Sequence, residues 1–177
     1  NYEDHPVNPW PNYDPANGYY RDHDVRKQLY RSVFAGACGV TYGHHSIWQF
    51  WSARFEIVNH ADRFWTEAID RPGAQQVVHL RRLMESKPYF TRVPDQSVLA
   101  SDAGVRGSHM VVTRDSERRY AMIYVPNTQT VDVNMDAIAG DKARVSWYNP
   151  RTGTTTSLGT FATKGTRFFT TPDHGPD

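Results

Sequence analysis

Apolar residues recur at helical spacing in two stretches of the first half of the chain. In the first stretch Val25, Leu29 and Val33 are four residues apart, which predicts an amphipathic helix. An aspartate at position 22 or 24 can cap this helix, and Gly36 can end it. The small Cys38 follows in a run of apolar residues and is predicted to be buried.

The second stretch predicts a helix that begins at Pro72, because proline favours the first helical position. The apolar residues of this helix line one face, and they are Val77, Leu80, Leu83 and Met84. Pro88 lies beyond the predicted end of the helix. Between the two long helices, Asn59 is predicted to cap a short helix that contains Trp65.

After about Arg92 the spacing of apolar residues falls from nearly four to two, which is typical of half-buried strands. Six such runs are predicted, at Met110 to Thr113, Tyr120 to Val125, Val131 to Met135, Val145 to Tyr148, Thr154 to Phe161 and Arg167 to Thr171. Short antiparallel strands at this spacing predict a β-sandwich. The chain is therefore predicted to be α/β in its first part and all-β from residue 92.

The segment Gly39 to Trp51, GVTYGHHSIWQFW, links the two predicted helical stretches. Val40 to Tyr42 is predicted to be a short buried strand, and His44, His45 and Trp48 follow in the loop at its end. Loops at the carboxyl ends of strands carry the chemistry of β/α barrels. Aromatic planes beside imidazoles suit a sugar ring, although the same cluster is equally compatible with a packed corner of the core.

Composition excludes several classes of partner for the 177-residue chain. A formal net charge of +1 offers no general attraction to nucleic acid or to an anionic membrane. Mean hydropathy is −0.68, and no apolar run approaches the roughly 20 residues of a membrane span. Aromatic residues make up 13% of the chain, which weakly favours contact with carbohydrate.

Residues 1 to 22 form a polar segment rich in proline and aromatic side chains, which predicts a loop rather than a helix. Glu3 lies in this segment beside Asp4 and His5, and Trp10 follows. The segment contains no signal peptide. Because no element precedes this loop, we expect the chain to be a fragment of a longer protein.

Several segments of the chain together resemble one protein family. They are NYEDHP, DHDVRKQLYRSVFAGACGVTYGHHSIWQFW, RPGAQQVVHLRRLMESKPYF, RYAMIYVP and VSWYNPRTG. They resemble the carboxyl-terminal part of the apiosidase-like glycoside hydrolases of family 140, in which a catalytic barrel precedes a β-sandwich described as collagen-binding. The block from Asp24 to Trp48 is the most specific part of this resemblance.

The resemblance implies a division of the chain into two domains. Residues 1–91 would be the last strands and helices of a (β/α)8 barrel, with Gly39 to Gly43 as the eighth strand. Residues 92–177 would be an antiparallel β-sandwich that lacks its last strand. The missing amino-terminal part of the barrel would be a partner of this chain, and the substrate would be a carbohydrate. Hydrolases of this kind are usually exported, so a secreted or periplasmic location is expected.

The resemblance also implies which residues form the site. In the family pattern one Glu stands two residues before the position of Asn1 and a second stands at Glu3, so Glu3 is the candidate catalytic carboxylate. Its alternative role is to orient a neighbour or to bind a hydroxyl. The predicted sugar-binding residues are Tyr42, His44, His45, Trp48, Trp10 and Arg26. Of the two adjacent histidines, one is expected to line the pocket.

The resemblance therefore implies part of a glycoside hydrolase that acts on polysaccharide side chains and needs no cofactor or metal. Glycoside cleavage requires two carboxyl groups, and one of them must lie outside this chain. The chain alone is therefore expected to be inactive. The alternative function is a non-catalytic module that binds carbohydrate or protein.

Overall fold

The structure, a computed structural model, describes residues 2–8, 13–172 and 176–177. The described helices are α1 (Asp22–Phe34), α2 (His45–Trp48), α3 (Trp65–Ala68) and α4 (Pro72–Glu85). The described strands are β1 (Arg92–Pro94), β2 (Val111–Asp115), β3 (Ala121–Tyr124), β4 (Thr130–Asn134), β5 (Lys142–Tyr148), β6 (Thr155–Ala162) and β7 (Thr166–Thr170). The chain is thus mixed, with helices first and strands after them.

Helix α1 has the start and the end that its sequence predicts. Oδ2 of Asp24 accepts the backbone N–H of Arg21 at 3.0 Å, as in the reciprocal half of a capping box. At the other end Gly36 has φ 101° and donates its N–H to Val33 O at 3.1 Å. The glycine is required there because this left-handed conformation disfavours residues with a Cβ atom.

Helix α4 also begins at Pro72 as predicted, whereas the predicted cap of the short helix α3 is wrong. Phe64 precedes α3 and makes no side-chain cap hydrogen bond. Asn59 instead has φ 49°, a left-handed conformation that asparagine tolerates, and so it turns the chain. None of the described helices is long and apolar enough to cross a membrane.

The predicted strand at Val40 to Tyr42 is wrong. Residues 40–42 pair with no strand among the described residues, and the nearest pairing is one isolated parallel bridge between Glu3 and His44. The bridge consists of the Glu3 N–H donating to Gly43 O at 3.0 Å and the His45 N–H donating to Glu3 O at 2.9 Å. A strand requires a ladder of such bonds, and here a neighbour is present at a single position.

The six predicted strands are confirmed as β2 to β7, and all their pairings are antiparallel. Strand β1 was not predicted, because it is three residues long and ends in Pro94. The described strands form three small sheets, with the orders β1-β2-β3, β4-β7 and β5-β6. Their arrangement as one sandwich stays a prediction.

The chain forms two compact units, which we call unit 1 (Asn1–Leu29 and Thr41–Val78) and unit 2 (Tyr30–Val40 and His79–Asp177). Unit 2 has an apolar core made of Val98, Leu99, Met110, Val112, Val125 and Val131. Unit 1 buries an unusual number of polar side chains, namely Glu3, Asp4, Arg26, His44, His45 and Ser46. Cys38 is exposed rather than buried, because it follows the turn at Gly36 that ends α1.

Candidate functional site

The carboxylate of Glu3 is fully buried in unit 1 and is held by hydrogen bonds. The Tyr42 hydroxyl donates to Oε2 at 2.5 Å, and the Gly73 N–H donates to Oε1 at 3.3 Å. Gly73 lies in the first turn of α4, where backbone N–H groups and the helix dipole favour a negative charge. Burial and the bond to this carboxylate raise the pKa of Tyr42, so Tyr42 remains a hydrogen-bond donor.

Because Gly73 has no side chain, there is room beside it for the Glu3 carboxylate. A Cβ atom at this position would lie 2.9 Å from Glu3 Cδ, still closer to Oε2, and 3.0 Å from Cε2 of Tyr42. Real Cβ atoms essentially never show contacts under 3.0 Å, so the Glu3 carboxylate would have to shift. The sequence Arg71-Pro72-Gly73 therefore starts the helix and also makes room for the acid.

Asp4 is also fully buried, and cationic side chains surround it. Nε2 of His44 and Nε of Arg63 each lie 3.1 Å from Oδ2, and Arg21 contacts Oδ1. Arg71 donates from Nη2 to Oδ1 at 3.1 Å, while its Nε lies 2.7 Å from Oδ2 without hydrogen-bond alignment. Burial alone would raise the pKa of Asp4, but the bonds from His44, Arg21 and Arg71 outweigh it and lower the pKa far below its usual range.

Asp62 is a second acid in this ion-pair cluster. It accepts from Nε and Nη2 of Arg63 at 2.9 and 2.8 Å, and from Nη1 of Arg21 at 3.2 Å. Burial alone would raise the pKa of Asp62, and the hydrogen bond from Arg63 reverses this and lowers it. Asp4 and Asp62 thus share Arg21 and Arg63, which ties the loop after Tyr2 to the segment before α3.

His44 is a structural residue whose two ring nitrogens both have protein partners. The Ser46 N–H donates to Nδ1 at 3.0 Å, so Nδ1 carries no proton and His44 caps α2. The proton is therefore on Nε2, which donates to Asp4 Oδ2 at 3.1 Å. In this structure neither ring nitrogen of His44 is left for a sugar hydroxyl.

His45 is buried as well, and it holds Trp48 in place. The indole N–H of Trp48 donates to Nδ1 of His45 at 3.1 Å, so the proton of the imidazole is on Nε2. Nε2 lies 3.0 Å from the carbonyl oxygens of both Val58 and Asn59. Burial, together with the nearby His5, lowers the pKa of His45 and keeps it neutral.

Trp48 is the exposed member of this group of residues. Its side chain is 49% exposed, although its indole nitrogen is fixed by His45. Phe50, 59% exposed, follows two residues later, and Phe64 and Trp51 pack together with ring centroids 4.8 Å apart. The site thus presents an orientated aromatic face beside a buried polar layer that is held by hydrogen bonds.

The structure brings five of the predicted site residues into unit 1 within one bonded arrangement, namely Glu3, Tyr42, His44, His45 and Trp48. Arg26 has other partners, since its Nη1 donates to Asp22 Oδ2 at 2.5 Å and also to Gln76, and its side chain is buried. Trp10 lies outside the described residues.

Sequence patterns missed the residues that support the site, which are Asp4, Arg21, Asp62, Arg63, Arg71 and Gly73. Their partners lie up to 70 residues apart in the chain, as between Gly73 and Glu3, so no periodic pattern connects them. The glycine directly after Pro72 was the one local signal, because glycine is a poor helix former. Among the described residues, no three His, Cys, Asp or Glu side chains form a group that could hold a metal ion.

Two family models together match almost the whole chain. The model described as "Apiosidase-like, catalytic domain" matches residues 1–91. The model described as "Putative collagen-binding domain of a collagenase" matches residues 93–177. No curated protein matches the chain.

Solved structures of longer proteins are similar to the chain. One, named a glycoside hydrolase, is 35% identical with a TM-score of 0.90, and the match covers 99% of this chain and 38% of that one. Another is a glycoside hydrolase family 5 protein from Bacteroides vulgatus ATCC 8482, 34% identical with a TM-score of 0.90, with coverage of 99% and 37%. The chain thus spans less than two fifths of the length of these relatives. It belongs to the apiosidase-like glycoside hydrolase family.

Proposed function

We propose that the protein containing this chain is a glycoside hydrolase of polysaccharide side chains, and that the chain forms part of its sugar pocket. The match to the apiosidase-like family and the names of the similar structures support this class of reaction. Polysaccharides of this kind lie outside the cytoplasm, so we also propose that the protein is secreted or periplasmic. The remaining part of the catalytic domain is its necessary partner.

The backbone of unit 1 supports the proposal that residues 1–91 complete a (β/α)8 barrel. The bridge between Glu3 and His44 is parallel, and α1 lies in the connection between them. A helix that connects two parallel neighbours is the repeating unit of such barrels. Residues 92–177 would then be the accessory β-sandwich, with family 140 as the proposed subgroup of the whole protein.

Trp48 is the observation that carries the proposed role in sugar binding. An aromatic ring that is half exposed but fixed by a hydrogen bond loses little conformational entropy when a ligand stacks on it. His45 provides this fixation because burial keeps its ring neutral and able to accept from the indole. Trp48 is therefore a preorganised platform for the apolar face of a sugar ring.

Glu3 is proposed to position the site rather than to attack the sugar. Its carboxylate is fully buried. Oε2 accepts a hydrogen bond from the Tyr42 hydroxyl, and Oε1 accepts one from the Gly73 N–H. A nucleophilic carboxylate must reach the anomeric carbon with a second carboxyl group about 5 to 5.5 Å away in a retaining enzyme. Glu3 instead fixes Tyr42 and the start of α4, and the reacting acids come from the rest of the catalytic domain.

The test uses the protein with its complete catalytic domain and measures release of reducing sugar from plant or microbial polysaccharides. The Trp48→Ala variant should raise KM about tenfold, because loss of a stacking face costs on the order of 1 to 2 kcal/mol of binding. The control is Phe90→Ala, since Phe90 is fully exposed and belongs to unit 2.

Wild-type KM in Trp48→Ala would contradict the proposed platform while leaving the reaction class intact. Absence of any sugar release by the wild-type protein, with binding to polysaccharide retained, would favour a non-catalytic carbohydrate-binding module instead.

A further inference from the structure

An open cleft of about 590 Å³ lies in unit 2 beside strand β7. All five residues of this strand line the cleft, from Thr166 to Thr170. Successive side chains of a strand point to opposite faces of a sheet, so contact with all five means that the cleft runs along the edge of β7. Leu158 and Phe161 of β6 also line it, as does Lys164 of the turn between the two strands.

Three phenylalanine rings give this cleft its apolar surface. The rings of Phe161 and Phe169 are half-buried and pack edge to face, with their centroids 5.4 Å apart. Phe168 lies between them and the solvent in sequence order on β7, and it is 76% exposed. An exposed aromatic ring beside packed ones offers a flat stacking surface for the apolar face of a ligand.

Two cationic side chains line the same cleft. The guanidinium carbon of Arg167 lies 5.0 Å from the ring centroid of Phe161, and this cation–π contact holds the side chain over the ring. Among the residues that the structure describes, Arg167 and Lys164 have no carboxylate partner, and no Asp or Glu lines the cleft. Asp132 and Asp136, on or beside the neighbouring strand β4, do not line it.

This combination of groups matches a ligand that has both a carboxylate and a flat apolar face. A guanidinium can donate two parallel N–H bonds to a carboxylate, and an aromatic ring can stack on the C–H face of a sugar. A uronic acid carries both features on one ring, whereas a neutral sugar would leave both cations unused. Recognition of nucleic acid by charge needs many cations, and the net charge of this chain is only +1.

We propose that this cleft of unit 2 binds a uronic acid segment of an acidic polysaccharide. The sugar ring stacks on Phe168, and its carboxylate is bound by Arg167 and Lys164. Strand β7 provides about 16 Å of edge at about 3.3 Å per residue, so the open cleft can follow an extended chain. The advantage of such a site rests on the proposed function, because a hydrolase that holds its polymer at a second point gains avidity.

The experiment measures binding of the intact protein to polygalacturonate, a polymer of uronic acid. The reference ligand is the same polymer with its carboxylates methyl-esterified, which keeps the sugar rings and removes the charge. The wild-type protein should bind the acidic polymer about tenfold or more tightly than the ester, and this preference should shrink between about 0.05 M and about 0.5 M salt.

Two variants test the residues of the cleft. Arg167→Gln should weaken binding of polygalacturonate about tenfold, and Phe168→Ala should weaken it about fivefold. Both side chains are exposed, so both variants should keep the wild-type Tm. The matched controls are Arg106→Gln and Phe90→Ala, because these residues are exposed in unit 2 and do not line the cleft.

The Trp48→Ala variant separates this cleft from the proposed sugar platform of unit 1. It should bind polygalacturonate as the wild type does. Loss of binding in Trp48→Ala but not in Arg167→Gln would overturn the proposal, and so would equal affinity for the acidic polymer and its ester. Equal affinity for poly-glutamate would also overturn it, because the ligand would then be an acidic peptide.

The sugar-release assay distinguishes failure of the cleft from failure of the proposed function. Sugar release with wild-type binding of polygalacturonate in Arg167→Gln would refute the cleft and leave the enzyme. Binding that depends on Arg167 in a protein that releases no sugar would support the cleft and refute the enzyme.

Discussion

The substitution Gly73→Ala tests whether Glu3 is anchored at the start of α4. The added Cβ would lie 2.9 Å from Glu3 Cδ, and closer still to Oε2. The carboxylate cannot simply swing aside, because it is fully buried and Tyr42 and the Gly73 N–H hold its two oxygens. The variant must therefore either compress this contact or break the hydrogen bonds.

The expected change in the free energy of unfolding combines two costs and one gain. Overpacking of a buried site costs about 1 to 3 kcal/mol. A weakened hydrogen bond to the charged carboxylate costs about 1.5 to 3 kcal/mol. Alanine regains at most about 1 kcal/mol through its higher helix propensity, and less in the first turn. The net expectation is a destabilisation of about 3 kcal/mol.

The assay is urea unfolding of the intact protein, with Gly39→Ala as the matched control. A Cβ on Gly39 would meet no atom within 4 Å, so that variant should stay within about 0.5 kcal/mol of the wild type. In a Glu3→Ala background the acid is gone, and Gly73→Ala should then be nearly neutral. Equal costs of Gly73→Ala with and without Glu3, or no cost at all, would refute the anchoring.

Three further predictions concern the charged and imidazole groups of unit 1. Asp4 has φ 56°, a conformation that asparagine tolerates, so Asp4→Asn should remove the charge without straining the backbone. Because the surrounding arginines lose their anion, urea unfolding should show a destabilisation of about 3 to 5 kcal/mol. Since the pKa of Asp4 is lowered in the folded protein, the Asp4 carboxylate stabilises the fold fully above its pKa in the unfolded chain, about 3.9, and this stabilisation is lost as pH falls below that value. An acid unfolding curve that Asp4→Asn leaves unchanged would contradict this. The lowered pKa of His45 likewise means that its contribution is lost as pH falls below about 6.5, and His45→Asn should flatten the stability profile between pH 6.5 and 5. Finally, Glu3→Gln should lower kcat in the sugar-release assay with little change in KM, because the acid positions Tyr42 and α4 and does not bind the sugar; a change confined to KM would count against that role.

Local patterns predicted the elements whose signals are local. Helix α1 combined a four-residue apolar spacing with acidic residues at its start and Gly36 beyond its end, and each of these acts within one turn. Strands β2 to β7 followed from the alternation of apolar and polar residues after about Arg92. The strand predicted at Val40 to Tyr42 is wrong because an apolar run becomes a strand only where a neighbouring strand pairs with it.

The site was predictable only in part. Glu3, Tyr42 and Trp48 lie in segments rich in aromatic side chains, which made them candidate site residues. The structure places all three in unit 1. The residues that support the site were not predictable from the sequence. Asp4 contacts Arg21, Arg63 and Arg71 only because distant segments of the chain fold together. The roles of His44 and His45 also required geometry, since only the bonds to Ser46 and Trp48 reveal which nitrogen carries the proton.

The most direct test of the central claim is a crystal structure of the intact protein with an oligosaccharide product bound. The account predicts a sugar ring stacked on the exposed face of Trp48 at a contact distance of about 4 Å, with the indole N–H still bonded to His45. Glu3 should remain buried and bonded to Tyr42, without touching the sugar. A sugar bound away from Trp48, or one whose anomeric carbon faces Glu3, would contradict the account.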